Sequence, residues 1–149
     1  IGEKIILRRS VFFDNDKGKN FYYVHSAIEK NIGKIISVVQ LNGLSEENSD
    51  LGNKLSMHIA ASNPLSLEKN DLDKDVLAKE LEIIKAELEN SGKKPEMVDK
   101  ISNGKLNKFI SDNTLLNQAW IMDPKSKVSD ILQDVKVIKF VRYKVGEGV

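Results

Sequence analysis

The sequence contains no cysteine, which excludes disulfide frameworks, thiolate nucleophiles and cysteine-based zinc or iron–sulfur sites. It has few aromatic residues, at 6%, and its two histidines, His25 and His58, are too far apart for an H-x-x-x-H or H-E-x-x-H metal motif. Neither G-x-x-x-x-G-K-[ST] nor G-x-G-x-x-G occurs, and no serine has a G-x-S-x-G context. We therefore expect no metal, no cofactor and no catalytic residue, and we predict that the protein is not an enzyme.

Long hydrophobic runs and an excess of one charge are also missing. No apolar run could span a bilayer, and the start of the chain lacks the hydrophobic region of a signal peptide. Lys and Arg number 23 against 22 Asp and Glu, whereas a nucleic-acid partner normally requires a basic excess. We expect a cytoplasmic protein of one compact domain, with neither a membrane nor a nucleic acid as direct partner. Because the chain starts without methionine and in strand-like sequence, we expect it to begin inside a longer protein.

Strand-forming residues are concentrated in the first third of the chain. The segments 4–13, 21–28 and 32–43 are rich in β-branched and aromatic residues, and polar turn sequences separate them. Three such segments with short loops predict an antiparallel meander. A further strand is predicted over 135–145, after a short helix over 126–133.

A helix that contains one histidine is predicted between Ser45 and Pro64. Ser45 precedes acidic residues that suit a first turn, and the proline ends the pattern. Leu51, Leu55 and His58 recur on one face at helical spacing. We interpret these three, with Pro64, as structural residues that hold the helix against the sheet. His58 has apolar neighbours and no acidic residue near it in the sequence, which favours packing over proton transfer.

Two charged helices are predicted to follow. Over 75–91 the apolar residues recur with a 4-3-4 spacing that is typical of a narrow coiled-coil seam. The turn "SGKKP" then starts a second helix over about 95–110, and so short a connection makes the two helices fold back on each other. The predicted seam residues are Leu77, Leu81, Ile84 and Leu88 in the first helix, and Val98, Ile101, Leu106 and Phe109 in the second.

The order of these elements indicates the fold class. Strands flank the helices and do not alternate with them, which favours α+β over a parallel sheet. We predict a small antiparallel sheet of three to four strands packed on helices, with an inserted antiparallel helical hairpin. The chain then divides into a first part of the core over 1–74, a protruding hairpin of the coiled-coil or dimerisation type over 75–111, and a closing helix and strand over 112–149.

Contact residues for a protein partner are predicted in two places. Tyr23 and His25 point to the same face of a strand, because side chains alternate along it. Ile121 and Met122 are consecutive, so both cannot face one core, and such residues are favoured at protein contacts. For Trp120, next to them, the sequence is equally consistent with a core residue and with a contact residue.

At this point a family resemblance becomes visible. The chain resembles bacterial elongation factor Ts over nearly all of its length, because a series of segments occurs in that family's order. These segments are "IGEKIILRR", "YVH", "IGKIISVV", "MHIAASNP", "SGKKPE", "KISNGKLNKF", "LLNQAWIMDP" and the terminal "FVRYKVGEG".

The resemblance implies a nucleotide exchange factor that binds elongation factor Tu in its GDP-bound and nucleotide-free forms and promotes GDP release. It implies that this chain is the second core subdomain with the hairpin, docking on domain 3 of elongation factor Tu. The implied contact positions are His25, Ile121, Met122 and Ile1, with Tyr23 beside the histidine. Self-association through the hairpin is implied by some members of the family.

Two departures from the family pattern bear on these expectations. The T-D-F-V segment, which in the family disturbs the magnesium site of elongation factor Tu, does not occur in this sequence. We therefore expect this chain alone to accelerate GDP release little. The family segment between Y-x-H and I-G is shorter than residues 26–31 here, which predicts a longer hairpin loop.

The alternative from another class is a nucleic-acid-binding module with a helical arm. It would use Arg8, Arg9 and the lysines of the hairpin, and it predicts binding that weakens steeply with salt. The balanced charge of the chain argues against it.

Overall fold

The computed structural model describes residues 2, 4–45 and 48–147, and it confirms an α+β fold with a helical hairpin. A three-stranded antiparallel sheet has the order β1-β2-β5, and a separate two-stranded sheet pairs β3 with β4. The elements in chain order are β1 (Lys19–Glu29), β2 (Ile32–Asn42), α1 (Leu51–Ser62), α2 (Lys74–Asn90), α3 (Pro95–Asn113), β3 (Ala119–Trp120), β4 (Asp123–Lys127), α4 (Val128–Leu132) and β5 (Lys136–Lys144).

The β1–β2 hairpin closes in a tight turn. Glu29 pairs with Ile32, so Lys30 and Asn31 form the turn, and Asn31 takes a φ of 66°, a conformation that asparagine tolerates. The predicted longer loop is wrong. The additional residues extend the strand instead, and a register shift between Ala27 and Glu29 accommodates them.

The predicted first strand, residues 4–13, is also wrong, because this segment forms no strand. It runs over the outer face of the sheet, where Lys139 Nζ donates to the backbone oxygen of Phe12 at 3.2 Å. The Arg9 guanidinium lies 4.7 Å from the centre of the Tyr143 ring on the same face. Residues with high strand propensity form a strand only where their backbone pairs with another strand, and side-chain contacts place this segment across the face of the sheet and not along the open edge of β1 or β5.

Helix α1 packs on the inner face of β1 and β2 and forms the main core with them. Gly52 makes this possible, because its missing Cβ leaves room for the ring of Phe21. Leu51, Leu55, His58 and Pro64 all lie in the interior. Among the described residues, the buried apolar cluster consists of Phe21, Val39, Leu41, Leu51, Leu55, Ile59, Leu115, Trp120, Val128, Leu132 and Val135.

Helix α1 begins later than predicted, at Leu51 and not near Ser45. Asn48 accounts for the difference, since its side-chain oxygen accepts from the Ser45 N–H at 2.7 Å and its backbone oxygen accepts from Leu51 N–H at 3.0 Å. Asn, Ser and Asp favour such local turns over helix, and they occupy positions 48–50.

Helices α2 and α3 form the hairpin, with a small core of their own. Ile84, Leu88 and Val98 are buried there, and the remaining predicted seam residues are half-buried. Helix α3 continues to Asn113, three residues beyond the predicted end. Two ion pairs join the helices, Lys85–Asp99 at 3.1 Å and Lys105–Glu87 at 3.2 Å. Among the described residues no helix has both the length and the hydrophobicity to cross a membrane.

The second sheet is a short hairpin that the sequence analysis did not predict. Trp120 pairs with Asp123, so Ile121 and Met122 form its two-residue turn. The helix predicted over 126–133 is shorter, because Ser126 and Lys127 belong to β4 and the helix spans Val128–Leu132.

Candidate functional site

An apolar groove of about 420 Å³ opens between the inner face of the sheet, helix α1 and the turn of the β3–β4 hairpin. We call it the docking groove. Its wall residues come from four separate parts of the chain, so only the folded protein assembles it. They are Tyr23, His25, Ile35, Met57, Ala60, Ala61, Ile121 and Arg142.

The first wall is strand β1 with its partner in β2. Tyr23 and His25 point to the same side, as their alternation predicts, and the Tyr23 hydroxyl lies 3.4 Å from His25 Nδ1. The two rings are tilted by 40° with their centres 6.1 Å apart. His25 pairs with Ile35 across the strands and is exposed, so its imidazole is accessible to a partner.

The second wall is the β3–β4 turn. Ile121 lines the groove and is 40% exposed, and Met122 beside it is 46% exposed. Two-residue hairpin turns favour Gly, Asn or Asp in conformations with positive φ, yet neither of these residues has a positive φ. A turn that presents two large apolar side chains to solvent contributes little to folding, which indicates that the residues serve another purpose.

Helix α1 provides the third wall, which the sequence analysis missed. Met57 is 38% exposed, and Ala61, one turn further along, is exposed beside it. The available signal was their i, i+4 spacing, which places them together at the edge of the buried face.

Arg142 on β5 forms the floor and was also missed. Its side chain is 10% exposed, its Nε donates to the Ala60 backbone oxygen at 3.0 Å, and its Nη1 contacts Glu147 Oε1 at 3.1 Å. The guanidinium therefore ties the end of α1 to the sheet, and its charge is engaged by the Glu147 carboxylate. No sequence pattern reveals this contact, because Arg142 and Ala60 are 82 positions apart.

His58 lies beneath the groove and is completely buried. Its ring stacks on Trp120, with the centres 5.2 Å apart and the planes 22° apart. Burial lowers the pKa of His58 below its ordinary value, and the hydrogen bond with Gln118 opposes that shift in part. Trp120 is 4% exposed, so of the two roles considered for it, core or contact, it has the core role.

The structure therefore brings Tyr23, His25 and Ile121 together on one groove and places Met122 next to it. Ile1, the remaining predicted contact position, lies outside the described residues. Among the described residues, no group of three or more His, Asp or Glu side chains could hold a metal ion. These features define an α+β domain with an apolar surface groove and a helical hairpin.

Comparison with known proteins assigns this domain to a family. The family model for elongation factor Ts matches residues 1–147. The chain is 40% identical over 151 residues to elongation factor Ts of Hahella chejuensis, 36% identical over 159 residues to that of Caulobacter sp. (strain K31), and 37% identical over 161 residues to that of Bdellovibrio bacteriovorus. The matches include 100% of this chain and 49%, 51% and 52% of these relatives. The chain belongs to the elongation factor Ts family, and it spans about half the length of the curated relatives it matches.

Proposed function

We propose that this chain is the part of a guanine-nucleotide exchange factor that docks on elongation factor Tu through the docking groove. The observation that carries the proposal is the convergence of Tyr23, His25 and Ile121 on one groove, since these residues were singled out from distant parts of the sequence. Family membership supplies the partner, because elongation factor Ts acts on elongation factor Tu.

The chemistry of the groove fits a protein contact. Its walls are mainly apolar, with one aromatic ring and one imidazole at the rim, and Arg142 is already engaged by Glu147. Aromatic and methionine side chains in a desolvated pocket are typical of the residues that dominate binding energy at interfaces. Domain 3 of elongation factor Tu is the occupant we propose.

The test is a titration of labelled elongation factor Tu–GDP with the chain and with matched variants. We expect His25→Ala, Ile121→Ala and Met122→Ala each to weaken binding by about 1–2 kcal/mol, or roughly 5–30-fold, the usual range for interface residues. Ile83→Ala and Met97→Ala are the matched controls, because these residues have the same types and are 54% and 49% exposed on the hairpin. Equal effects of groove and control variants would reject the groove as the docking surface.

Docking and nucleotide exchange are separable in this chain. The sequence contains no T-D-F-V segment, so we propose that the chain binds elongation factor Tu but accelerates GDP release little. Since a partner that weakens nucleotide affinity is itself weakened by nucleotide to the same extent, the chain should bind the GDP-bound and nucleotide-free forms with similar affinity. Stopped-flow release of a fluorescent GDP measures this, and full acceleration by the chain alone would contradict it.

Some of the residues that the nucleic-acid alternative would use are engaged within the chain. Arg8 donates to the Glu147 backbone oxygen at 2.6 Å and Arg9 stacks on Tyr143. On the hairpin, Lys85 and Lys105 are paired with carboxylates. This function stays a prediction, and a filter-binding titration with RNA at two salt concentrations tests it.

A further inference from the structure

His58 contacts the docking groove from below through its ring nitrogens. Nε2 lies 2.9 Å from Gln118 Oε1, and Nδ1 lies 3.4 Å from the backbone nitrogen of Ile121. Both nitrogens of a completely buried ring are thus engaged, one by a side chain and one by the turn that forms a wall of the groove.

The surrounding hydrogen bonds determine which ring nitrogen carries the proton. Gln118 Nε2 donates to the backbone oxygens of Ser62 at 3.2 Å and Asp112 at 2.8 Å, so both of its N–H groups are used. The oxygen of the same amide therefore faces His58 and can only accept, which requires the proton on Nε2. Nδ1 is then unprotonated and accepts from the Ile121 N–H.

This bond fixes the backbone at the point where the turn begins. Ile121 is the first residue of the turn, its main chain is bound to the buried ring, and its side chain is left to line the groove. We propose that His58 is a positioning residue, which holds the Ile121-Met122 turn at the rim of the docking groove through its unprotonated Nδ1. The effect of His58 on docking rests on the proposed docking function, but the hydrogen bond from the Ile121 N–H to His58 Nδ1 can be tested in the free chain.

The ring has no charged partner in its hydrogen bonds. Its direct neighbours are the amide of Gln118, the indole of Trp120 and the amide of Ile121. Charged or titratable groups on the surrounding elements include Lys54 on α1, which pairs with Asp50 at 2.9 Å, Asp112 on α3, which contacts Gln118 through its backbone oxygen, Tyr23 and His25 on β1, Arg142 on β5, and Asp123 and Lys127 on β4, and none of them is a hydrogen-bond partner of the ring. The pKa of His58 is lowered by burial, so the ring is neutral at neutral pH, as the acceptor role of Nδ1 requires.

Protonation should therefore disrupt the turn. A proton added to Nδ1 would face the Ile121 N–H, and two donors repel each other where a hydrogen bond had been. Because the lowered pKa puts this event below the ordinary titration range of histidine, the part of docking that depends on His58 should be constant near neutral pH and should weaken in acid.

The first experiment is an NMR titration of the free chain that carries His25→Gln. His58 is then the only histidine, so its ring signals are unambiguous. At pH 7.5 we expect the chemical shifts of the two ring nitrogens to show that His58 is protonated on Nε2 and unprotonated on Nδ1. We also expect the amide signal of Ile121 to change as the His58 ring titrates, whereas the amide signal of Ile83 should not change. A ring protonated on Nδ1, or an Ile121 amide that ignores the titration, overturns the inference.

The second experiment compares two substitutions that do not titrate. The side-chain oxygen of His58→Asn can occupy the place of Nδ1, whereas the amide nitrogen of His58→Gln can occupy that of Nε2. With circular dichroism verifying that both fold, we expect His58→Gln to weaken docking roughly 5–30-fold and His58→Asn to keep it within about threefold, with a flatter acid profile than the unmodified chain. Equal losses in the two variants would mean that His58 acts through packing alone and would overturn the proposal.

The two proposals fail in different ways. If Ile121→Ala leaves docking unchanged, the docking groove is wrong, whereas the NMR titration still decides whether His58 holds the turn. If the NMR titration gives the wrong tautomer while Ile121→Ala weakens docking, the groove stands and the role of His58 is withdrawn.

Discussion

Gly52 in helix α1 offers a direct test of how closely this helix approaches the sheet. Replacing a glycine by alanine inside a helix normally stabilises it by about 0.5–1 kcal/mol, because glycine loses more backbone entropy on folding. At Gly52, however, an added Cβ would overlap the ring of Phe21, nearer than real Cβ atoms come to any neighbour. Overpacking of this kind costs about 1–3 kcal/mol, so it outweighs the gain in helix propensity. We expect Gly52→Ala to lower the free energy of unfolding by about 1–2 kcal/mol.

The same chain supplies the control. Gly104 lies inside helix α3, and a Cβ there would meet no atom of the described residues within 4 Å, so Gly104→Ala should raise the free energy of unfolding by about 0.5–1 kcal/mol. Urea unfolding monitored by circular dichroism gives both values. A stabilising effect of Gly52→Ala equal to that of Gly104→Ala would refute the close contact between α1 and β1.

A double-mutant cycle assigns the effect to its cause. If the ring of Phe21 is the obstacle, Gly52→Ala should cost less in a Phe21→Leu background, with a coupling energy of about 1 kcal/mol or more. The result also bears on the docking groove, since Met57, Ala60 and Ala61 are on the same helix. A displaced helix should weaken docking in the Gly52→Ala chain although no groove residue has changed.

Three further predictions concern other parts of the fold. As the pH falls, His58 binds a proton in the unfolded chain before it does so in the folded chain, because burial lowers its pKa only in the folded state. The contribution of neutral His58 to the free energy of unfolding should therefore be complete above about pH 6.5 and should be lost as the pH falls from there towards the folded pKa. Urea unfolding at several pH values, with His58→Phe for comparison, measures this. Arg142→Met should destabilise the fold by about 1.5–3 kcal/mol, because it leaves the Ala60 carbonyl without its charged donor, and a thermal melt would contradict this by showing no change. Leu88→Ala should increase hydrogen exchange in α2 and α3 but not in β1 and β2, because the hairpin core shares no residue with the main core.

Sequence patterns predicted the elements that depend on local composition. The β1–β2 hairpin follows from alternating and β-branched residues, and the seam of α2 follows from a 4-3-4 spacing that includes Ile84 and Leu88, which share a buried core with Val98 of α3. The segment 4–13 has equally strong strand propensity, but whether it pairs along an edge or crosses the face of the sheet depends on contacts with distant residues such as Lys139 and Tyr143, which leave no local trace.

The candidate site was predictable only in part, for the same reason. Tyr23 and His25 were found because alternation along a strand is local, and Ile121 because consecutive apolar residues cannot share one core. Met57 was missed although its i, i+4 spacing to Ala61 is a local signal, whereas Arg142 completes the groove through a contact between distant parts of the chain, which no spacing rule encodes. The β3–β4 hairpin was missed because its turn lacks the glycine or asparagine that normally marks one.

That missing turn signal is itself informative about where docking energy should be concentrated. A turn sequence optimised for folding would put small or polar residues at positions 121 and 122, and the isoleucine and methionine found there are 40% and 46% exposed. The surrounding chain satisfies the ordinary rules, since Trp120 before the turn and Val128 at the start of α4 are buried in the main core. The turn preference for small or polar residues is violated only at the adjacent positions 121 and 122, while the surrounding core is well packed. Such a local violation is expected where function requires residues that folding alone would not favour. We therefore expect Ile121 and Met122 to contribute the apolar part of the docking energy, while His25, which is exposed and polar, contributes to both affinity and specificity through polar contacts.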